Sequence, residues 1–185
     1  MPLADIPEEL VQSISVVADQ TLTCRPFRRL VVKGFLLNNE LTDFSFAPKG
    51  ADGKPIANRV EPGKRPPSSM SPTLVFDKAS GDLVTSVGSP GGALIIHYTA
   101  KVLYGMLNWG MSPQEAINLP NSASTNGPTL LEKERFPAAA LDALRAKDHE
   151  IRKLDMTSGL QGIKWQRAQL QGGADPRREG VVMGE

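Results

Sequence analysis

Leu83-Val84-Thr85-Ser86-Val87-Gly88-Ser89-Pro90-Gly91-Gly92-Ala93-Leu94-Ile95-Ile96 is the stretch on which the fold turns. Its first five residues favour a strand and its last four open an apolar helical run, so the glycines between them mark a reversal. A strand, a tight turn and a helix start gather unpaired backbone N–H groups around one point, where the helix dipole also favours negative charge. Such a turn can hold an oxyanion. Gly91 and Gly92 lack the Cβ atoms that would block backbone approach, and Pro90 restricts Ser89 to an extended conformation. Taken alone, a Gly-Gly turn is more often only a tight connection.

Working upstream, Thr73-Leu74-Val75-Phe76 reads as a partner strand, and Asp77-Lys78-Ala79-Ser80-Gly81-Asp82 as the hairpin loop joining it to Leu83. Ser68-Ser69-Met70-Ser71-Pro72 offers three hydroxyls where extended structure begins, either an ST-rich turn or a place to bind a carboxylate. Pro48 to Pro67 is loop. Leu30 to Leu37 is mostly apolar and reads as one buried strand, ended by a turn at Asn38-Asn39, and Ile14 to Val17 as a short strand.

Downstream, Ala93 to Trp109 is apolar nearly all round with Lys101 as its only charge, which predicts a buried helix. His97 on it reads as a core or boundary histidine rather than a base. Gly110 suits the C′ position, and Ser112-Pro113-Gln114-Glu115 is a capping box that opens a second helix through Leu119. Thr129 to Glu132 looks extended, Pro137 starts a helix to about Lys147, and His149 to Leu154 returns as a strand. Gly159 to Ile163 and Ala168 to Gly172 then form a last strand pair. Strands, helices and strands again predict a layered α/β (α+β) domain with largely antiparallel pairing.

Bulk properties bound the function. The 185 residues are about one domain in size. Twenty-one basic and twenty acidic side chains nearly cancel, so no field favours nucleic acid or an anionic membrane. The single cysteine, Cys24, excludes an internal disulfide and reads as buried or half-buried; the two histidines, His97 and His149, leave little for a transition-metal site, and no cofactor is expected. Seventeen glycines and fifteen prolines imply many turns. The N-terminal residues carry acids where a secretory signal needs a basic region, and no run is long enough to span a bilayer, so the chain as translated is expected to stay soluble and cytoplasmic.

Four segments in order carry a resemblance: Leu36-Leu37-Asn38-Asn39-Glu40-Leu41-Thr42-Asp43-Phe44-Ser45, Lys64-Arg65-Pro66-Pro67-Ser68-Ser69-Met70-Ser71-Pro72-Thr73, the glycine turn, and Gly173-Ala174-Asp175-Pro176-Arg177-Arg178. Together they resemble the small subunit of the γ-glutamyltranspeptidase family, over most of the chain from Gly34 onward. The resemblance implies that residues 34–185 form a small-subunit-like domain. It implies one subunit's share of the four-layer αββα sandwich of N-terminal-nucleophile hydrolases. It further implies that Glu40 and Asp43 hold the α-amino group of a γ-glutamyl compound such as glutathione. Ser68 and Ser69 would grip its α-carboxylate, and the Gly91 and Gly92 amides would stabilise the oxyanion. Arg177 and Arg178 belong to a tail that lies beside the family's site and steadies a loop; a solvated turn is the plain alternative, and neither is assigned to substrate.

Residues 1–33 depart from the family. Its small subunit begins Thr-Thr-x-x-Ser-Val-Val-Asp, the first threonine being the nucleophile, and matching Ser15-Val16-Val17 to that pattern sets Val11 at the nucleophile and Gln12 beside it. Valine has no hydroxyl with which to attack. Asp19 to Arg29 is shorter than the family's text, and its supporting threonine and asparagine have no counterpart; Thr21, Thr23 and Cys24 lack an activating base nearby. The resemblance therefore implies a catalytically inactive relative. The alternatives are an active γ-glutamyl transferase, hydrolase or cephalosporin-acylase-like amidase completed by a large subunit, and a non-catalytic partner or ligand-binding protein. The family is usually exported, to the periplasm or beyond, and the implied partners are a large-subunit-like chain or a second copy of this one.

Overall fold

The strand read at Leu83 extends to Gly88 and is the interior strand around which one sheet assembles. The computed structural model describes residues 31–32, 35–36, 40–166 and 169–184. The readings of Val11, Ile14 to Val17, Asp19 to Arg29 with Cys24, and Asn38-Asn39 fall outside these residues.

Strands β1 (Val31–Val32) and β2 (Phe35–Leu36) pair antiparallel, Val31 opposite Leu36. This corrects the single strand expected over Leu30 to Leu37. The two residues between the pair, Lys33 and Gly34, have hairpin spacing and a glycine, a signal that the apolar run obscured.

The main sheet has the order β3-β4-β8-β9, from β3 (Thr73–Phe76), β4 (Leu83–Gly88), β8 (Gln161–Gln166) and β9 (Gln169–Ala174), antiparallel throughout. The β3–β4 loop is the hairpin expected: the Asp77 carboxylate accepts from the Ala79 and Ser80 amides, and the Asp77 amide donates to the Asp82 carbonyl. The last two strands sit a few residues later than read: ahead of β8 the Gly159 amide donates to Ser89 Oγ and the Leu160 amide to the Asp175 carboxylate.

A second sheet, β5-β6-β7, comprises β5 (Ser122–Ala123), β6 (Thr129–Glu132) and β7 (Ile151–Leu154). Its β6–β7 pair is parallel, bridged by helix α3 (Ala138–Arg145), a departure from the mostly antiparallel expectation that the α3 crossover makes possible.

Helix α1 (Ile95–Asn108) and helix α2 (Pro113–Asn118) pack on the main sheet. The α2 capping box forms as read: Ser112 Oγ accepts from the Glu115 amide at 3.3 Å and the Glu115 carboxylate accepts from the Ser112 amide at 2.8 Å. Val87, Tyr98, Val102, Met106, Ala116, Ile117, Met156 and Leu160 form the core between helices and sheet.

The expected all-round burial of α1 is corrected. Ile95, Tyr98, Val102 and Met106 recur at helical spacing on the face that meets the sheet, whereas Ile96, Tyr104 and Leu107 are 48–55% exposed on the other. Trp109 packs edge-on against Tyr104, ring centroids 4.9 Å apart. No helix among the described residues is long and apolar enough to cross a membrane.

Candidate functional site

The glycine turn meets α1 through a short 3-10 turn, Gly92–Leu94, whose first amides have no carbonyl within the turn to bond. Gly91 has φ 149° and Gly92 φ 57°, values that a side chain disfavours. A Cβ on Gly91 would stand 2.5 Å from the Tyr98 ring, so this glycine is required by space as well as by torsion. The turn is thus bare backbone on the floor of a cleft.

That cleft has a volume of about 300 Å³. Glu40, Asp43, Ser69, Gly91 and Gly92, five of the six site residues read from the sequence, line it together. Glu40 and Asp43 come from a 3-10 turn, Glu40–Asp43, whose last carbonyl accepts from the Asn58 amide group at 2.7 Å. Ser69 Oγ donates to the Gly92 carbonyl at 2.7 Å, tying the hydroxyl-rich segment to the glycine turn. Ser68 is not among the lining residues; its hydroxyl accepts from the Met70 amide at 3.3 Å, the geometry of an ST turn.

Tyr98, Asp155, Thr157 and Arg178 complete the walls and were not read as site residues. Burial pushes the Tyr98 hydroxyl up to about 12, with the Glu132 charge acting in the same direction, so it remains a neutral phenol. A tyrosine three residues into a helix carries no sequence mark of facing the turn before it.

Behind the cleft lies a buried polar network that sequence reasoning missed. Arg177 spends all five guanidinium donors: Nε and Nη2 on the two Glu132 oxygens at 2.6 and 2.8 Å, Nη1 on Asp175 and the Ile117 carbonyl, and Nη2 also on the Leu119 carbonyl. The solvated-turn alternative for Arg177 is therefore corrected, since its side chain and that of Glu132 are each only 9% exposed. Burial opposes the Glu132 charge, but the Arg177 hydrogen bonds, the Asn121 amide and the charges of Arg177 and Arg135 together outweigh it and hold the carboxyl below its ordinary range. Burial likewise opposes the Arg177 charge, and the same bonds raise its pKa.

Asp175 also accepts from Ser158 Oγ and from the Leu160 amide, and Asn121 donates to Ser158 Oγ at 2.9 Å. Lys101 closes the other end, its ammonium donating to Asn121 Oδ1 and to the Ile117 and Leu119 carbonyls at 2.8–3.1 Å. Burial pushes the Lys101 ammonium down to about 7, with the Arg177 charge adding to the effect. The Gly159 amide, next to Ser158, donates to Ser89 Oγ, which joins the network to the glycine turn. His97 stands apart: Nε2 lies 2.9 Å from the Ser124 carbonyl while Nδ1 is buried without a partner among the described residues. Among the described residues no group of three His, Cys, Asp or Glu is placed to hold a metal.

The glycine turn, two acids and a serine thus line one cleft, and the family model for gamma-glutamyltranspeptidase matches residues 28–185. The chain belongs to the gamma-glutamyltranspeptidase family. It is 34% identical over 156 residues, 82% of its length, to the glutathione hydrolase proenzyme of Bacillus subtilis strain 168, and spans 25% of that relative. A solved mutant of the Helicobacter pylori gamma-glutamyltranspeptidase superposes with a TM-score of 0.68 at 31% identity, covering 80% of this chain and 84% of that one. The Pseudomonas nitroreducens gamma-glutamyltranspeptidase complexed with L-DON gives 0.70 at 28% identity, covering 88% and 89%. The mixed α+β architecture is thus that of gamma-glutamyltranspeptidase N-terminal-nucleophile hydrolase domains. The chain spans about a quarter of the curated relative's length.

Proposed function

We propose that residues 34–185 are a small-subunit-like domain whose cleft recognises the γ-glutamyl group of compounds such as glutathione, and that the 185-residue chain does not turn them over. One observation carries the recognition half: Glu40, Asp43, Ser69, Gly91 and Gly92, distant in sequence, line a single cleft. Two carboxylates suit an α-ammonium, and a serine hydroxyl suits an α-carboxylate, joined by Ser68 if its turn opens. The Gly91 and Gly92 amides face the place where charge would develop on an attacked amide carbonyl.

The missing half is the nucleophile. Acyl transfer by this route needs a hydroxyl activated by a base, with a γ-glutamyl ester as intermediate, and Val11 offers neither hydroxyl nor proton to transfer. Completed by a large-subunit-like chain, this chain would still present valine at that position, so an active transferase or an acylase-like amidase is the lesser reading.

The test is twofold. Calorimetry should detect γ-glutamyl ligands binding to the purified chain, while γ-glutamyl-p-nitroanilide should release no p-nitroaniline above a no-protein blank. Intact mass should show one uncleaved polypeptide, because Leu10-Val11 has no side-chain hydroxyl to attack the preceding carbonyl. Turnover abolished by a γ-glutamyl affinity label, or a fragment beginning at Ser13, Thr21 or Thr23, would refute the inactive reading.

A further inference from the structure

The sheet order fixes what lies on each side of the glycine turn. Strand β4 runs between β3 and β8, with Thr73 opposite Val87 and Gln161 opposite Gly88. The chain entering β3, which holds Ser69, and the chain entering β8, residues 155–160, therefore approach Gly88–Gly92 from opposite flanks. Both approaches are anchored: Ser69 Oγ donates to the Gly92 carbonyl at 2.7 Å on one flank, and the Gly159 amide donates to Ser89 Oγ at 3.2 Å on the other. A Cβ on Gly159 would stand 2.7 Å from Pro90 and 2.8 Å from the Arg178 stem, so Arg178 also lies on the β8 flank.

An amide held with its carbonyl at Gly91 and Gly92 has two ends that leave in opposite directions. With the γ-glutamyl head group on the Ser69 side, the amine half must extend along the β8 flank. There the cleft wall is Thr157, Arg178 and Asp155. Arg178 directs Nε and Nη2 at the Thr157 carbonyl, at 3.2 and 3.0 Å, so part of its guanidinium is spent on the loop. Asp155 is exposed, and none of the ion pairs among the described residues involves it. Among the described lining residues, Asp155 is the acid on the β8 flank, whereas Glu40 and Asp43 lie on the separate Glu40–Asp43 turn.

We propose that the β8 flank receives the amine half of a γ-glutamyl amide and that Asp155 there selects amine halves bearing a second, positive charge over anionic ones. The inference rests on the γ-glutamyl reading of the cleft and adds the class of ligand preferred: γ-glutamyl derivatives of diamines or of basic amino acids.

Three ligands sharing one head group test it by calorimetry on the full chain: γ-glutamyl-(2-aminoethyl)amide, γ-glutamylethylamide and γ-glutamylglycine, with cationic, neutral and anionic ends. At low salt the affinities should fall in that order, and the spread should shrink as salt is added. Asp155→Asn should cut the cationic-to-neutral ratio roughly two- to fivefold, the effect of one exposed charge pair. Asp155→Lys should reverse the order, and an unaltered melting temperature in both variants shows that the fold is kept. Equal affinities for the three ligands, an order that survives Asp155→Asn, or an equal loss for all three would overturn the proposal. Binding of none of them to the unsubstituted chain would instead defeat the γ-glutamyl reading itself, and this inference with it.

Discussion

Removing the Arg177 side chain should be among the most damaging single changes in the molecule. Arg177→Met keeps the apolar stem but strips bidentate bonds from Glu132, one bond from Asp175, and bonds from the Ile117 and Leu119 carbonyls. Both carboxylates stay behind, Glu132 at 9% side-chain exposure and Asp175 at none. Leaving a buried charge without its partner costs about 3–5 kcal/mol, or roughly 6–20 °C of melting temperature for a domain of this size.

Urea denaturation at pH 7, read by circular dichroism, measures the loss. A cycle with Glu132→Gln separates the pair's coupling from packing. Arg177→Lys should fall between, since an ammonium keeps the charge without the planar fork. The pH dependence has a definite sign. Glu132 is held below the ordinary 4.5, so its stabilisation is full above that value and is lost as pH falls through its folded pKa. In Arg177→Met, burial acts on Glu132 against only the Asn121 amide and the Arg135 charge, so its pKa rises, protonation relieves the variant, and the gap should narrow between pH 7 and pH 4. A loss under about 1 kcal/mol at pH 7, or a gap that widens on acidification, would refute the picture of Arg177 as the clamp.

Further outcomes follow from the same geometry. Gly91→Ala must place a Cβ 2.5 Å from the Tyr98 ring at φ 149°; it should cost about 1–3 kcal/mol and abolish γ-glutamyl binding, and a variant as stable and as tight as the original would contradict the turn's geometry. Lys101, pushed down to about 7 in the fold and near 10.5 when unfolded, makes the unfolded chain hold more protons between those values; stability should therefore rise from pH 7 toward 10, and Lys101→Met should remove that part of the slope. With Ile96, Tyr104, Leu107 and Trp109 each 48–59% exposed, light scattering should find the chain larger than a monomer, and Leu107→Glu should reduce the association; a monomer at all concentrations would count against it.

Local chemistry settled much of this protein in advance. The capping box at Ser112, the hairpin loop at Asp77 and the strand-turn-helix at Leu83 to Ile96 depend on neighbours within a few residues, so composition and spacing sufficed to read them. The family resemblance added Glu40, Asp43 and Ser69, residues that no short-range pattern links to the glycine turn. Their meeting in one cleft is a fact of tertiary structure, because β4 must lie between β3 and β8 before Ser69 can reach Gly92.

What the sequence misjudged was burial. An arginine in Asp175-Pro176-Arg177-Arg178 looks solvated, and only folding brings it against Glu132, 45 residues away along the chain, and against the carbonyls at the end of α2. The apolar residues of α1 look uniformly buried, yet the sheet covers only one side of the cylinder. Periodicity records which residues share a face; whether that face meets protein or water depends on partners that only the assembled fold supplies.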